Sequence, residues 1–391
     1  MKKKPVNSSR IPVYRDAGFE LFDAETTKKA FSQETENERI PELYIYSRYR
    51  NPTVVAAEEE IMKLEACKWA LLTQSGMSAI DTAVSVFQKG ELTRPWLFFS
   101  EIYGGTISFI ESVLKKRRGL QIHSFHPVNE KYDLYEFERM ILDIKPDLIY
   151  IEAISNPMLI VTDVEYVISL AHKSGSKVIV DNTFATPLLC KPLESGADIV
   201  IHSATKYFSG HGNITAGVLC GNDNAIMKDA LEYRKFVGHM ISPDDAYRLH
   251  TQIQTFELRF RKQCRNAVRI TEILKNHPGI RKVWYPGLPE HSTHNEALKL
   301  FGDRGFGAMV TFDFDGNTEN DKKRKRDIFI QAVSEKIKII PSLGDPKTIL
   351  MPVESVWGAK YPEPGLIRLS VGFENFSGLE KIIMKALEKT D

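Results

Sequence analysis

Two stretches, Val178-Ile179-Val180-Asp181-Asn182-Thr183 and, further along the chain, Ile199-Val200-Ile201-His202-Ser203-Ala204-Thr205-Lys206, decide the fold. In each, an apolar run too short for a helix stops abruptly at polar residues. A run without polar alternation, bounded in this way, is the mark of a strand buried on both faces. Strands are read likewise at residues 69–72, 96–99, 120–125 and 148–151. Between the runs the apolar spacing becomes helical: Ile80, Ala83, Val84 and Phe87 share one side of a helix expected over 76–88. Leu134, Phe137, Met140 and Ile141 do the same over 134–144. Gly90, Gly119 and Gly175 stand where helix C-caps are wanted. Strands alternating with helices predict an α/β fold, with a mostly parallel central sheet flanked by helices.

Outward from this core the pattern changes twice. Residues 1–50 are polar and aperiodic, with tyrosines and arginines gathered between Tyr44 and Arg50, and are expected to form an arm. Ser242-Pro243-Asp244-Asp245 supplies an N-cap, a proline at the first helical position and acids in the first turn, so a long helix should run from there toward Lys275. Beyond it, strands at 308–312 and 367–371 mix with helices at 322–333 and 377–389, as in a smaller α+β domain. The expected division is an arm (1–50), a larger domain carrying the strand–helix alternation (51–245) and a smaller C-terminal domain (246–391).

The bulk numbers narrow the class. A chain of 391 residues exceeds one typical core, and 42% hydrophobic with 26% charged residues is an ordinary globular balance. A net charge of +1 gives no field to recruit nucleic acid or an anionic membrane, and Lys322-Lys323-Arg324-Lys325-Arg326 reads as a solvated helix face. The basic start Met1-Lys2-Lys3-Lys4-Pro5 has no apolar h-region after it, and no apolar run is long enough to span a bilayer. Cys67, Cys190, Cys220 and Cys264 are scattered, suggesting neither a disulfide framework nor a metal site. The expectation is a soluble cytoplasmic protein whose partner is small, with no nucleic acid and no membrane.

In open parallel sheets ligands gather beyond the carboxyl ends of the strands. There the chain places Thr73-Gln74-Ser75-Gly76-Met77 opening a helix, Tyr103-Gly104-Gly105-Thr106 on a turn, Glu152 and Asn156-Pro157, Asp181-Asn182-Thr183, and Ser203, Thr205 and Lys206. Singly each has a structural explanation: an N-cap, a glycine turn, a surface lysine. Together they offer an anion cradle, an aromatic plate, a carboxylate and an amine. Pyridoxal phosphate needs those parts: a lysine for the Schiff base, an acid to keep the ring nitrogen protonated, and hydroxyls with N–H groups for the phosphate. Lys206 fits the first role and Asp181 the second. Ser203 and Thr205 fit the third, with the N–H groups of Gly76 and Met77, and Tyr103 can lie on the ring face.

With those stretches in view, the chain resembles the cystathionine γ-synthase, cystathionine γ-lyase and methionine γ-lyase family of fold-type I pyridoxal phosphate enzymes, from about Tyr46 to the C-terminus. The resemblance is carried by Tyr46-Ser47-Arg48-Tyr49-Arg50-Asn51-Pro52-Thr53, Gln74-Ser75-Gly76-Met77, Tyr103-Gly104-Gly105-Thr106, residues 180–187, Ser203-Ala204-Thr205-Lys206-Tyr207, Ser342-Leu343-Gly344 and Arg368-Leu369-Ser370-Val371-Gly372. It implies that Tyr46 and Arg48 reach the cofactor phosphate of a neighbouring subunit, in a homo-oligomer that is a dimer of dimers. It further implies that Asn156 touches the cofactor's phenolic oxygen and that Arg368, helped by Ser342, clamps the substrate α-carboxylate. The implied activity is γ-elimination on methionine, homocysteine or cystathionine, with Lys206 moving protons and Tyr103 protonating the leaving group. The alternatives are γ-replacement or β-elimination.

The chain departs from the family pattern at several points. Met351-Pro352 precedes Val353-Glu354-Ser355-Val356-Trp357 where a His-Pro is usual, and Asn213 replaces an Asp. Pro341 stands where cystathionine enzymes often carry an acid, and Gly105 where many methionine γ-lyases carry a cysteine. Ser203-Ala204-Thr205-Lys206 also fits the S-x-x-K of serine acyl-enzymes, but no S-D-N follows and Pro346-Lys347-Thr348 lacks the glycine of K-T-G.

Overall fold

In a computed structural model, which describes residues 10–88, 90 and 94–390, the six strands expected in the first half of the chain and one unexpected strand, residues 217–221, assemble into one seven-stranded sheet. Its members are β1 (Trp69–Thr73), β2 (Trp96–Phe99), β3 (Ile122–Phe125), β4 (Leu148–Glu152), β5 (Lys177–Asp181), β6 (Ile199–His202) and β7 (Gly217–Gly221), in the order β1-β7-β6-β5-β4-β2-β3. β3, β2, β4, β5 and β6 run parallel, whereas β7 is antiparallel to both its neighbours. Alternate residues feed two cores. Val178, Val180 and Val200 enter one, and Ile179, Ile199 and Ile201 enter the other. Each buried aliphatic side chain of this kind contributes about 1.5–3 kcal/mol, which favours the two-faced arrangement over an exposed one.

A second sheet, ordered β10-β11-β12-β9-β8, contains β8 (Ile280–Trp284), β9 (Met309–Phe314), β10 (Lys338–Ile339), β11 (Ile349–Pro352) and β12 (Leu366–Ser370). It is antiparallel except for the β10–β11 pair, and helices Phe256–Lys275, Glu319–Val333 and Phe376–Glu388 cover one face through a separate core.

Several expectations need correction. The long helix from residue 243 is two helices, Pro243–Ile253 and Phe256–Lys275. The Arg259 guanidinium donates to the carbonyls of Gln252, Tyr207 and Phe208, and its Nε to Thr255 Oγ1, so tertiary demands divide the helix where no Pro or Gly announces a break. The arm, read as aperiodic, contains a helix, Ala24–Thr35, capped by Asp23 and burying only Ala30. The helix expected over 76–88 ends at Ser85, and β3 starts at Ile122 rather than at 120. Gly175, at φ +78°, does follow a helix end and adopts the left-handed conformation that favours glycine. Met1-Lys2-Lys3-Lys4-Pro5 lies outside the described residues. Among those described, no helix is long and apolar enough to cross a membrane.

One buried ion pair fastens β1 to its covering helix, Pro52–Glu65. Arg234 reaches Glu58 and the Leu72 carbonyl, each at 2.7 Å, and Glu58 also accepts the Leu72 N–H at 2.8 Å. Both side chains are wholly enclosed, so removing either partner would strand a buried charge.

Candidate active site

The cleft lies beyond the carboxyl ends of β4, β5 and β6, against the second sheet. Gly76, Met77, Tyr103, Asn156, Asp181, Ser203, Thr205, Lys206, Ser342 and Arg368 all line it, together with Glu152 and Thr183. Tyr46 and Arg48 do not. Tyr46 is exposed, and the Arg48 guanidinium stacks near the rings of Tyr46 and Tyr49 while donating to the Lys235 carbonyl at 2.6 Å.

Lys206 follows β6 on a turn held at every side. Its N–H donates to the Ser203 carbonyl, its own carbonyl accepts the Gly210 N–H at 2.7 Å, and Thr205 exchanges hydrogen bonds with the backbone of Ala216. Gly344 presses on this turn so closely that a Cβ there would stand 2.9 Å from the Lys206 carbonyl carbon. The Lys206 ammonium donates to Ser342 Oγ at 3.0 Å. Burial, with the positive charge of Arg368 adding to it and Asp345 opposing, lowers its pKa to about 8.

Arg368 sits in the middle of β12, opposite Met351 of β11 and Thr311 of β9. One terminal nitrogen donates to Asn156 Oδ1 at 2.8 Å and the other to the Ser342 carbonyl at 3.1 Å; the buried Nε has no partner among the described residues. A guanidinium fixed in this way, with a donor still to satisfy, suits a carboxylate ligand. Burial lowers its pKa to about 10.

Asp181 and Glu152 are register partners on β5 and β4. Asp181 accepts the Thr183 N–H at 3.0 Å and the Tyr150 hydroxyl at 3.3 Å; burial raises its pKa, and the Thr183 hydrogen bonds and the nearby His202 hold that rise back. Glu152 takes the Tyr103 N–H at 2.6 Å, and burial, then the charge of Asp181, raise it well above the ordinary carboxylate range. The sequence placed Glu152 at a strand end without giving it a role; its signal was that position alone.

The anion cradle is built from helix Gly76–Ser85. Ser75 caps it by accepting the Ser78 N–H, and its carbonyl takes the Ala79 N–H, so the Gly76 and Met77 amides have no protein partner among the described residues. A Cβ on Gly76 would meet Ser203 Cβ at 3.0 Å, so glycine lets that hydroxyl approach the helix end. Thr205 donates to the Ala216 carbonyl at 3.1 Å, which uses its one proton there. Gly105 has a similar cause: a Cβ on it would stand 2.3 Å from the Tyr103 ring.

Unpaired helix-end amides, a pair of buried carboxyls, a lysine of lowered pKa and a free guanidinium donor fit pyridoxal phosphate and an amino acid. The fold and the cleft therefore define a pyridoxal phosphate-dependent enzyme of fold type I. Comparison with known proteins narrows the class: the chain matches the family described as Cys/Met metabolism PLP-dependent enzyme over residues 1–388 and belongs to it. It is 34% identical to an L-methionine gamma-lyase of Porphyromonas gingivalis, over 93% of this chain and 88% of that one. With an O-succinylhomoserine sulfhydrylase of Pseudomonas aeruginosa it shares 35% over 88% and 83% of the two chains. The fold matches the crystal structure of cystathionine gamma synthase from Xanthomonas oryzae pv. oryzae with a TM-score of 0.85 and 26% identity, covering 97% of this chain and 93% of that one.

Proposed function

We propose that the enzyme carries out γ-elimination on a sulfur amino acid, methionine, homocysteine or cystathionine, releasing 2-oxobutanoate, ammonia and a thiol. The observation that carries this reading is the grouping of Lys206, Ser342 and Arg368, linked through hydrogen bonds of 3.0 and 3.1 Å, in one cleft with Tyr103. Bound pyridoxal phosphate supplies an electron sink that stabilises negative charge at the substrate Cα. The protein does the rest. The Arg368 fork, kept in plane by Asn156 and the Ser342 carbonyl, holds the α-carboxylate. Lys206, with a pKa near 8, is free to take a proton from Cα and to return it elsewhere. Tyr103, whose backbone is fixed by Glu152, donates a proton to the departing sulfur. Ser203 and the Gly76 and Met77 amides would hold the phosphate, Asp181 would keep the ring nitrogen protonated, and Asn156 would serve the phenolic oxygen. Thr205, in this reading, supports the phosphate site through the Ala216 loop.

Tyr46 and Arg48, placed on the arm and outside their own cleft, are assigned to the phosphate of a neighbouring copy in a dimer of dimers. The two separate sheets support a division into an arm (1–50), a cofactor domain (51–245) and a substrate domain (246–391). A cytoplasmic location is the reading of four unpaired cysteines. The sulfhydrylase relative favours γ-replacement as the second reading. Incubation with methionine, homocysteine, cystathionine or O-acetylhomoserine, with and without a thiol, separates the possibilities. 2-Oxobutanoate is expected; pyruvate would mean β-elimination, and a new thioether would mean replacement.

A further inference from the structure

Residues 353–361, between β11 and β12, leave the second sheet and cross to the first. Lys360 donates to the Ser100 carbonyl at 2.9 Å and pairs with Glu101 at 3.2 Å, and the Tyr361 hydroxyl donates to the other oxygen of Glu101. Glu101 is buried, close to Tyr103 in the chain, and its N–H donates to the Tyr132 hydroxyl at 3.1 Å. At the far end Glu354 accepts Arg326 at 2.9 Å. The segment is thus a strap tied down at both ends.

Trp357 is held between those ties. Its Nε1 is 3.7 Å from where a Cβ on Gly104 would stand, its ring meets Tyr361 edge-on at 6.4 Å, and the Arg368 guanidinium lies 5.7 Å from it. The indole therefore bridges the group assigned to the α-carboxylate and the turn that presents Tyr103. A substrate side chain held at Arg368 and extending toward the Tyr103 turn would run alongside the indole. The charges nearby are spent on one another, Lys360 on Glu101 and Arg326 on Glu354 and Asp327. A thioether sulfur gains from aromatic contact, whereas a distal ammonium and carboxylate would meet a strap whose Lys360 and Glu354 are already paired.

We propose that Trp357 is a specificity-determining residue that selects substrates ending in an uncharged thioether over cystathionine-type substrates with a charged distal end. Glu101 is the positioning residue that holds it through the strap. The inference rests on the γ-elimination reading and deepens it.

The holoenzyme is assayed for kcat/KM on methionine and on cystathionine. Trp357→Ala is expected to lower the methionine value about tenfold and the cystathionine value far less, so that their ratio shifts. Trp357→Phe should retain the ratio, and Glu101→Gln should shift it the same way by raising the methionine KM more than it lowers kcat. An equal change for both substrates, or none, overturns the proposal. Binding of glycine and norleucine, neither of which carries a γ leaving group, is read in parallel from the cofactor's absorbance. Trp357→Ala should weaken norleucine about tenfold and leave glycine unchanged, while equal weakening of the two counts against Trp357. A wild-type enzyme that forms no 2-oxobutanoate would defeat the γ-elimination reading, and the norleucine-to-glycine comparison would still decide the role of Trp357.

Discussion

The two sheets furnish the cleft in different ways. The seven-stranded sheet delivers Glu152, Asp181 and Lys206 from the ends of successive parallel strands or the turn that follows, so these groups sit on short, heavily bonded backbone. The five-stranded sheet delivers Arg368 from the centre of an antiparallel strand and Ser342 from a loop, and it reaches back across the cleft through the 353–361 strap. On the proposed reading, the first sheet supplies the parts that any chemistry on the cofactor needs, and the second those that choose and orient what is acted upon. Substitutions in the first should abolish reaction, and those in the second should change its efficiency or selectivity.

The largest effect tests the first half of that contrast. Lys206→Ala should lose the cofactor's visible absorption band and reduce turnover by a factor of about 10⁴ or more. An unchanged spectrum, or borohydride labelling on a different lysine, would contradict the assignment. Next comes Arg368→Leu, which should lower kcat/KM about 10²–10³-fold, mainly through KM, while the absorption band stays in place. Loss of the band together with activity would erase the distinction between the sheets. The smallest effect is one of pH. Because burial and Arg368 depress Lys206, its amine is largely unprotonated above about pH 8. Acetic anhydride labelling of cofactor-free protein should therefore reach half its plateau near pH 8 at Lys206, whereas surface lysines, with ordinary values of about 10.4, lag behind. A midpoint near 10 at Lys206 would show that the group is solvated.

The same contrast explains what could be read in advance. The strands at residues 69–73, 96–99, 148–152, 177–181 and 199–202 are apolar on both faces, and the groups at their ends follow in chain order, so both the sheet and half of the cleft were legible. β7 was not. Gly217 is required because a Cβ there would stand 2.1 Å from the Ser75 carbonyl oxygen, and Gly221 because it would meet Trp69 at 2.3 Å. Packing thus placed weak strand formers at both ends and erased the strand's signature. The break at Gln254–Thr255 was hidden for a similar reason, since its cause, Arg259 bonding to Tyr207 and Phe208, is remote in sequence. Arg368 and Ser342 were found only through resemblance to a family, because a mid-strand arginine carries no local mark. Glu101 gave no signal, and Trp357 only its place in a stretch that departs from the family pattern; their relation exists only where the strap from one sheet lands on the other.

The turn around Lys206 has one more consequence. With its N–H, its carbonyl and the adjoining residues all committed, the Cα of this lysine is stationary, and the nitrogen can travel only as far as its four-carbon stem allows. If Lys206 moves the protons as proposed, delivery from one substrate carbon to the next would depend on bond rotations within a single side chain, without waiting for slower rearrangement of the main chain.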